Sequence, residues 1–339
     1  MAYLPPALAQ ARTALTSMMA DAPPGTRVAV ACSGGADSLA VAATLAHVGP
    51  RRGWQISAFI VDHDLHPDSA QVSAVAARQL IDLGFPHVTI TRVTVAHGPG
   101  HGGPEAAART ARYAALDRLR TQHGVDVILL GHTRDDQAES VLLGLARGSG
   151  ARSLSGIRPR TGHYVRPFLS LTRAATEEIC SLHEVNVWHD PTNTDITPQG
   201  PLRSQVRGVV IPLMENVLGP GVADALARTA DLLHADAEAL EQWARTAQAD
   251  VTITTTNTAE GQVHLDLTAL AALPTAIRHR VLRATALAVG APASAVSLRH
   301  IHALDHLITR WHGQGPTYLP GAISVRRQSG TLVFEPPTV

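Results

Sequence analysis

Short runs of apolar and β-branched residues recur along the first half of the chain: "RVAVA" (27–31), "ISAFIVD" (56–62), "HVTITRVTV" (87–95), "VDVILLG" (125–131) and "YVRPFLSL" (164–171). Between them lie alanine-rich segments with helical spacing, at about 38–47, 69–83, 104–122 and 134–146. Strands alternating with helices of this length predict βαβ units, hence an α/β fold with a doubly wound parallel sheet covered on both faces. Ligands of such sheets bind at the carboxyl ends of the strands, which is where the polar motifs below fall.

The pattern breaks after "WHDPTNTDITPQGPLRSQVRGVVIPL" (188–213), a connector followed by helical spacing over 221–248. Then "VTITTTN", "QVHLDL", helices near 274–288 and 297–310, and the hairpin "AISVRRQSGTLVFEP" predict a second, smaller α+β domain. The boundary is expected near 211, giving domains 1–211 and 212–339. The first twenty residues are apolar but carry Pro5, Pro6 and Arg12. That fits neither a signal peptide nor a membrane span, and predicts an opening helix in a cytoplasmic protein.

Composition changes the picture in two places. Formal net charge is zero and apolar content is 45%, as in a globular protein without an obvious polyanionic partner. The average conceals an asymmetry. No Asp or Glu occurs from Ser140 to Thr176, where Arg147, Arg152, Arg158, Arg160, Arg166 and Arg173 fall, and residues 267–334 hold seven arginines against Asp305 alone. All 28 basic residues are arginine. Codon usage accounts for the missing lysine but not for the clustering. Cys32 and Cys180 are the only cysteines, too far apart in sequence for a CxxC metal or redox motif.

The loop "ACSGGADSLA" (31–40) lies between the first predicted strand and helix. Without lysine it is neither a Walker A loop nor part of a kinase site, and its adjacent glycines do not match GxGxxG. Gly34 and Gly35 allow backbone N–H groups to curl round phosphate oxygens at a helix N-terminus, with Ser33 and Ser38 as hydroxyl donors. Asp37 repels a naked phosphate and makes sense beside Mg²⁺; an ordinary strand-to-helix turn stabilised by Asp37 is the alternative. Cys32, beside the loop, reads as a buried small residue, since nothing in the sequence activates it.

Three further segments carry chemistry. In "GHTRDDQAES" (131–140), His132, Asp135, Asp136 and Glu139 share one helical face, suited to a metal, a substrate amine or a ribose. Helix capping from Thr133 and Asp136 is the competing reading. In "VDHDLHPDSA" (61–70), Asp62, His63, Asp64 and His66 close a strand; alternation puts their side chains on opposite faces, which favours a nucleotide-base or ribose pocket over a shared metal site or a plain polar turn. "PEAAARTARYAAL" (104–116) carries Glu105, Arg109 and Arg112 on a helix begun by Pro104, where exposed ion pairing competes with a functional role.

With these segments assembled, the chain resembles the N-type ATP pyrophosphatases, the PP-loop group marked by SGGxDS. Within that group it resembles the tRNA(Ile)-lysidine synthetases, whose motif order is matched by "SGGADS", "VDHDLHPDSA", "PEAAARTARYAAL", "GHTRDDQAES", "LARGSGARSLSGIRP", "RPFLSLTR" and "DPTNTD". "LPTAIRHRVLR" carries a weaker likeness to that family's substrate-binding domain. Asp64 and His66 depart from it, standing where the family usually has Gly and Arg.

The resemblance implies a PP-loop, adenine nucleotide alpha hydrolase-like fold and a ligase. Such enzymes adenylate C2 of the wobble cytidine of an isoleucine tRNA with a CAU anticodon, using ATP and Mg²⁺; free lysine then displaces AMP to give lysidine. It implies catalytic roles for Asp37, Arg112 and Asp136. ATP would be held by Ser33, Gly34, Gly35, Ala36, Asp37, Ser38, Asp62, His63 and His132. Metal falls to Asp37 and Asp136, and lysine to Asp136 and Glu139. The tRNA contacts expected are Arg147, Arg152, Arg203, Arg207, Arg278, Arg280 and Arg283. A homodimer stays open. The rival readings are a PP-loop thiolase, disfavoured by unpaired cysteines; a PP-loop ligase or amidotransferase adenylating a small molecule; and a non-catalytic tRNA-binding protein.

Overall fold

A computed structural model describes residues 4–64, 67–95, 104–148, 151–253 and 261–337, with the side chains of 104, 105 and 152 outside that description. The chain opens on α1 (Pro6–Met18), β1 (Arg27–Ala31), α2 (Ala36–Arg51), β2 (Gln55–Asp62), α3 (Ser69–Asp82), β3 (Val88–Arg92), α4 (Pro104–His123) and β4 (Val127–Leu130). It continues through α5 (Arg134–Ala146), α6 (Ala151–Leu154), β5 (Arg160–Thr161), β6 (Tyr164–Val165), α7 (Arg173–Leu182), α8 (Leu202–Gln205), α9 (Ile211–Leu218) and α10 (Val222–Val251).

The six strands form one sheet in the order β3-β2-β1-β4-β6-β5. All neighbours are parallel except the edge pair β5 and β6. Central β1 is apolar on both faces, as burial from two sides demands. Val28 and Val30 pack with residues of α1, α2 and α7, while Ala29 and Ala31 pack with Phe59 and Leu116. Chain order reverses between β1 and β4, and Ala31 pairs with both Phe59 and Leu130. The carboxyl ends of the three strands are therefore level, and the crevice opens there.

One expected strand is corrected. Of the run 164–171 only Tyr164 and Val165 are in the sheet, because Pro167 has no N–H to donate to a ladder. The rest is a buried turn, with Phe168 and Leu171 in the core and Leu171 N–H donating to the Phe168 carbonyl at 2.9 Å.

Two compact units divide between His234 and Ala235, inside α10. Residues 202–234 stay with the first unit through polar ties: Ser204 Oγ donates to the Thr192 carbonyl at 2.8 Å, and Arg134 pairs with Asp224 at 3.0 Å. The second unit adds β7 (Thr252–Ile253), β8 (Val263–Asp266), α11 (Leu267–Ala272), α12 (Thr275–Ala288), α13 (Leu298–Thr309), β9 (Thr317–Leu319), β10 (Ile323–Gln328) and β11 (Thr331–Glu335). Its strands are antiparallel in the order β7-β8-β11-β10-β9. Ile277, Val281, Leu304, Ile323 and Phe334 share its core. No single described helix is long and apolar enough to cross a membrane.

Candidate active site

The loop after β1 is shaped by its own side chains. Gly34 takes φ +85°, a conformation that favours glycine, and its carbonyl accepts the Trp188 N–H at 3.0 Å. Ser38 Oγ donates to the Gly35 carbonyl at 2.9 Å and accepts the Ser33 N–H at 3.1 Å. Ser38 thus turns inward and braces the loop, where a phosphate donor was expected. The first-turn amides of α2, from Ala36 onward, have no acceptor within the helix and form its positive end.

Gly131, closing β4, lets the loop sit this close. A Cβ there would stand 2.7 Å from the Asp37 carbonyl carbon and from the Ser38 nitrogen. Cys32 is buried and its thiol is pushed up by that burial, which leaves it unreactive.

A cavity of about 450 Å³ opens beside the loop, lined by Ser33, Gly35, Asp62, His63, Arg112 and Trp188 among others, a volume in the range of small-ligand pockets. Asp62 is buried and accepts the Asp64 N–H at 2.9 Å; Asp64 in turn pairs with Arg92. His66 lies outside the described residues. The Nδ1 atoms of His63 and His132 are both buried without a hydrogen-bond partner. Burial, with Arg112 as the leading nearby charge, pushes both imidazoles down, so both are neutral at physiological pH. Arg112 is itself depressed by burial and crowded by Arg109 and Arg166. A desolvated, crowded guanidinium beside two unpartnered imidazoles suits an incoming anion.

The carboxylates converge on the other side of the loop. Asp37 accepts the Thr176 hydroxyl at 2.6 Å and lies 3.8 Å from Arg173 Nε. Burial, opposed by that hydrogen bond and reinforced by Asp136, pushes its carboxyl up to about 6. Asp136 divides its two oxygens: Oδ2 accepts the Thr133 N–H at 2.8 Å and closes a capping box, while Oδ1 lies 3.7 Å from both Arg173 and Arg207. Capping and site chemistry therefore coexist in one residue. Asp135 turns away and accepts the Arg173 N–H at 2.8 Å.

Glu139 is wholly buried and held at both oxygens by Arg207, at 2.6 and 3.1 Å, with Arg203 at 3.8 Å and Arg173 at 3.9 Å. Arg203 and Arg207, expected on tRNA, instead turn inward onto this acid. Among the described residues no group of three or more His, Cys, Asp and Glu side chains is arranged as a metal cage.

The remaining expected tRNA contacts scatter. Arg147 is exposed at the end of α5, and the Arg152 side chain lies outside the described residues. Arg278 is buried against Asp305 at 2.6 Å, Arg280 lies 3.7 Å from Glu241, and Arg283 donates to the carbonyls of Val296 and Ala293. These three are fastenings of the second unit.

Sequence reasoning did not place Arg173 and Thr176 in the site, because the strand read over 164–171 left the helix that follows it, and carries both, unread. The available signal was Thr172, whose side chain caps α7 by accepting the Ala175 N–H at 3.1 Å.

This loop, its partner acids and the β3-β2-β1-β4 order define a PP-loop nucleotide-binding protein, and a family model described as the PP-loop domain matches residues 8–214. A second, the TilS substrate binding domain, matches 265–333. The chain is 49% identical to the tRNA(Ile)-lysidine synthase of Thermobifida fusca over 329 residues, covering 97% of this chain and 98% of that one. It is 48% identical to the enzyme of that name from Streptomyces coelicolor over 310 residues, or 91% and 84%. The chain belongs to the tRNA(Ile)-lysidine synthase family. Among solved structures, the U34-tRNA thiolase NcsA from Methanococcus maripaludis, with its 4Fe-4S cluster, shares the fold. The TM-score is 0.55 at 18% identity, over 67% of this chain and 78% of that one.

Proposed function

We propose that this protein is an ATP-dependent ligase that joins the ε-amine of lysine to C2 of the wobble cytidine in a CAU-anticodon isoleucine tRNA, forming lysidine. The observation that carries the reading is the bridge made by Arg173 from Asp37 of the phosphate loop to Asp136 and Glu139. It joins a nucleotide site to an acidic site able to take a second, cationic substrate.

The chemistry runs in two displacements. The C2 oxygen of cytidine attacks the α-phosphorus of ATP and the bond to pyrophosphate breaks, the diphosphate leaving against the loop amides. Arg112 stabilises the charge that develops on the α-phosphate. The lysine amine then attacks C2, the C2–O bond breaks, and AMP departs with that oxygen while the amine gives up a proton. Asp62, His63 and His132 line the nucleotide.

Asp37 and Asp136 would hold Mg²⁺. The donor set fits: two hard carboxylates, with the other positions left to phosphate oxygens and water, as Mg²⁺ prefers. When bound, the ion neutralises the diphosphate leaving group. The lysine ammonium belongs beside Asp136 and Glu139, where it replaces part of the positive charge now supplied by Arg173, Arg203 and Arg207.

The test is pyrophosphate release and labelled-lysine incorporation by the purified protein with ATP, Mg²⁺, lysine and the CAU-anticodon tRNA. Both are expected, and only with tRNA present. Pyrophosphate release unchanged by omitting tRNA would replace this reading with a small-molecule ligase.

A further inference from the structure

Sequence counts assign residues 267–334 seven arginines against Asp305, but the folded unit neutralises several of them internally. Arg278 pairs with Asp305 at 2.6 Å, Arg280 lies 3.7 Å from Glu241, Arg326 pairs with Glu335 at 2.8 Å, and Arg283 is tied to two backbone carbonyls. Arg299, Arg310 and Arg327 remain, and all three belong to the neighbourhood of α13.

Arg299, His302, His306 and Arg310 recur at i, i+3, i+7 and i+11 along α13 and its C-cap, so they stand on one face. All four are exposed, while Ile301, Leu304, Leu307 and Ile308 bury the opposite face. Among the described residues no carboxylate pairs with Arg299 or Arg310. The two arginines stand about 16 Å apart along the helix axis.

The row ends at Trp311, 44% exposed, with the Arg327 guanidinium 4.8 Å from its ring centroid. Arg327 also donates to the Leu307 carbonyl at 3.1 Å, anchoring the indole to the end of the helix. Row and ring together have the chemistry of a nucleic-acid groove: guanidiniums for successive phosphates, and a held aromatic face for an unpaired base.

We propose that the α13 face of Arg299, His302, His306 and Arg310 binds the phosphate backbone of the tRNA, with one unpaired base stacked on Trp311. The inference rests on the tRNA reading above and moves the contact from α12, whose arginines are tied to groups of their own unit, to α13.

The test measures tRNA affinity of the full chain across a KCl series. The double substitution Arg299→Ala with Arg310→Ala is expected to weaken binding roughly tenfold or more at low salt. It should also flatten the slope of log K against log salt by about 1.4 to 1.8, as loss of two phosphate contacts requires. Trp311→Ala is expected to cost roughly tenfold with the slope unchanged, and Trp311→Phe to keep most of the affinity. All these positions are on the surface, so the thermal midpoint should hold, and circular dichroism checks this. A double variant that folds and binds with the wild-type slope overturns the proposal. Wild-type protein that fails to bind tRNA at all overturns the tRNA reading instead.

Discussion

Arg207 grips Glu139 with both arms of its guanidinium, Nε to Oε1 at 2.6 Å and Nη2 to Oε2 at 3.1 Å, around a carboxylate with no exposed surface. Removing one partner of such a pair strands the other in a dry site. Glu139→Ala is expected to destabilise the protein by about 3 to 5 kcal/mol, since Arg173 and Arg203 also lean on this acid. Adding Arg207→Ala should restore part of that loss. Urea unfolding of the two single variants and the double closes the cycle; losses that merely add, within about 0.5 kcal/mol, would show the pair is not coupled.

Asp37 makes stability depend on pH in an unusual direction. Burial lifts its carboxyl from the ordinary 3.8 to about 6, so between those values the folded protein keeps a proton that the unfolded chain has released. That contribution is at its most favourable below about 4, falls as pH rises toward 6, and leaves a penalty above it of at most about 3 kcal/mol. Asp37→Asn abolishes the charge. In metal-free protein it should raise the thermal midpoint at pH 8 and change it little at pH 4, while adenylation is lost and tRNA binding survives. An equal midpoint shift at both pH values would contradict the burial argument.

The alternation of apolar runs and alanine-rich helices was enough to read β1, β2, β4 and α2 to α5, because a parallel sheet buried on both faces leaves long uninterrupted apolar strands. It misread 164–171, where the run is equally apolar but buried in a turn that Pro167 forces. The loop and its acids were legible for the same reason as the strands: SGGADS and GHTRDDQAES are contiguous, each on one side of a strand end. Arg173 and Thr176 were not, since their role depends on α7 folding back across α2, a contact made over some 140 residues of sequence. Charge was the least legible feature. A count along the chain treats every arginine alike, whereas Arg207 and Arg278 find acids that lie 68 and 27 residues away.

Arg112 offers a test of function against stability. Among the described residues it has no acid partner, it is depressed by burial, and Arg109 and Arg166 add to its repulsion. A charge held this way destabilises the resting protein and finds compensation only when an anion enters. Arg112→Met keeps the bulk and removes the charge, so the ligand-free protein should melt at a higher temperature. Pyrophosphate release in a single turnover should fall about 10²- to 10³-fold. A variant that loses stability together with activity would make Arg112 a structural residue.

Gly131 is the narrowest point of the site, and a single methyl group tests the loop geometry. The Cβ of Gly131→Ala would stand 2.7 Å from the Asp37 carbonyl carbon and 2.8 Å from its oxygen. These are backbone atoms of the first turn of α2, unable to rotate aside as a side chain can, so the loop itself must shift. The same turn presents the amides proposed to hold the departing pyrophosphate, and a displacement of about 1 Å there is enough to cost on the order of a hundredfold in rate. The substitution should therefore slow adenylation far more than it weakens tRNA binding, with a stability loss of about 1 to 3 kcal/mol from overpacking. Gly84→Ala serves as the comparison: nothing stands within 4 Å of its Cβ, while its φ of +99° carries the backbone strain of an added Cβ without the clash. If the two variants turn over ATP equally well in the presence of tRNA, close approach at Gly131 plays no part in positioning the loop.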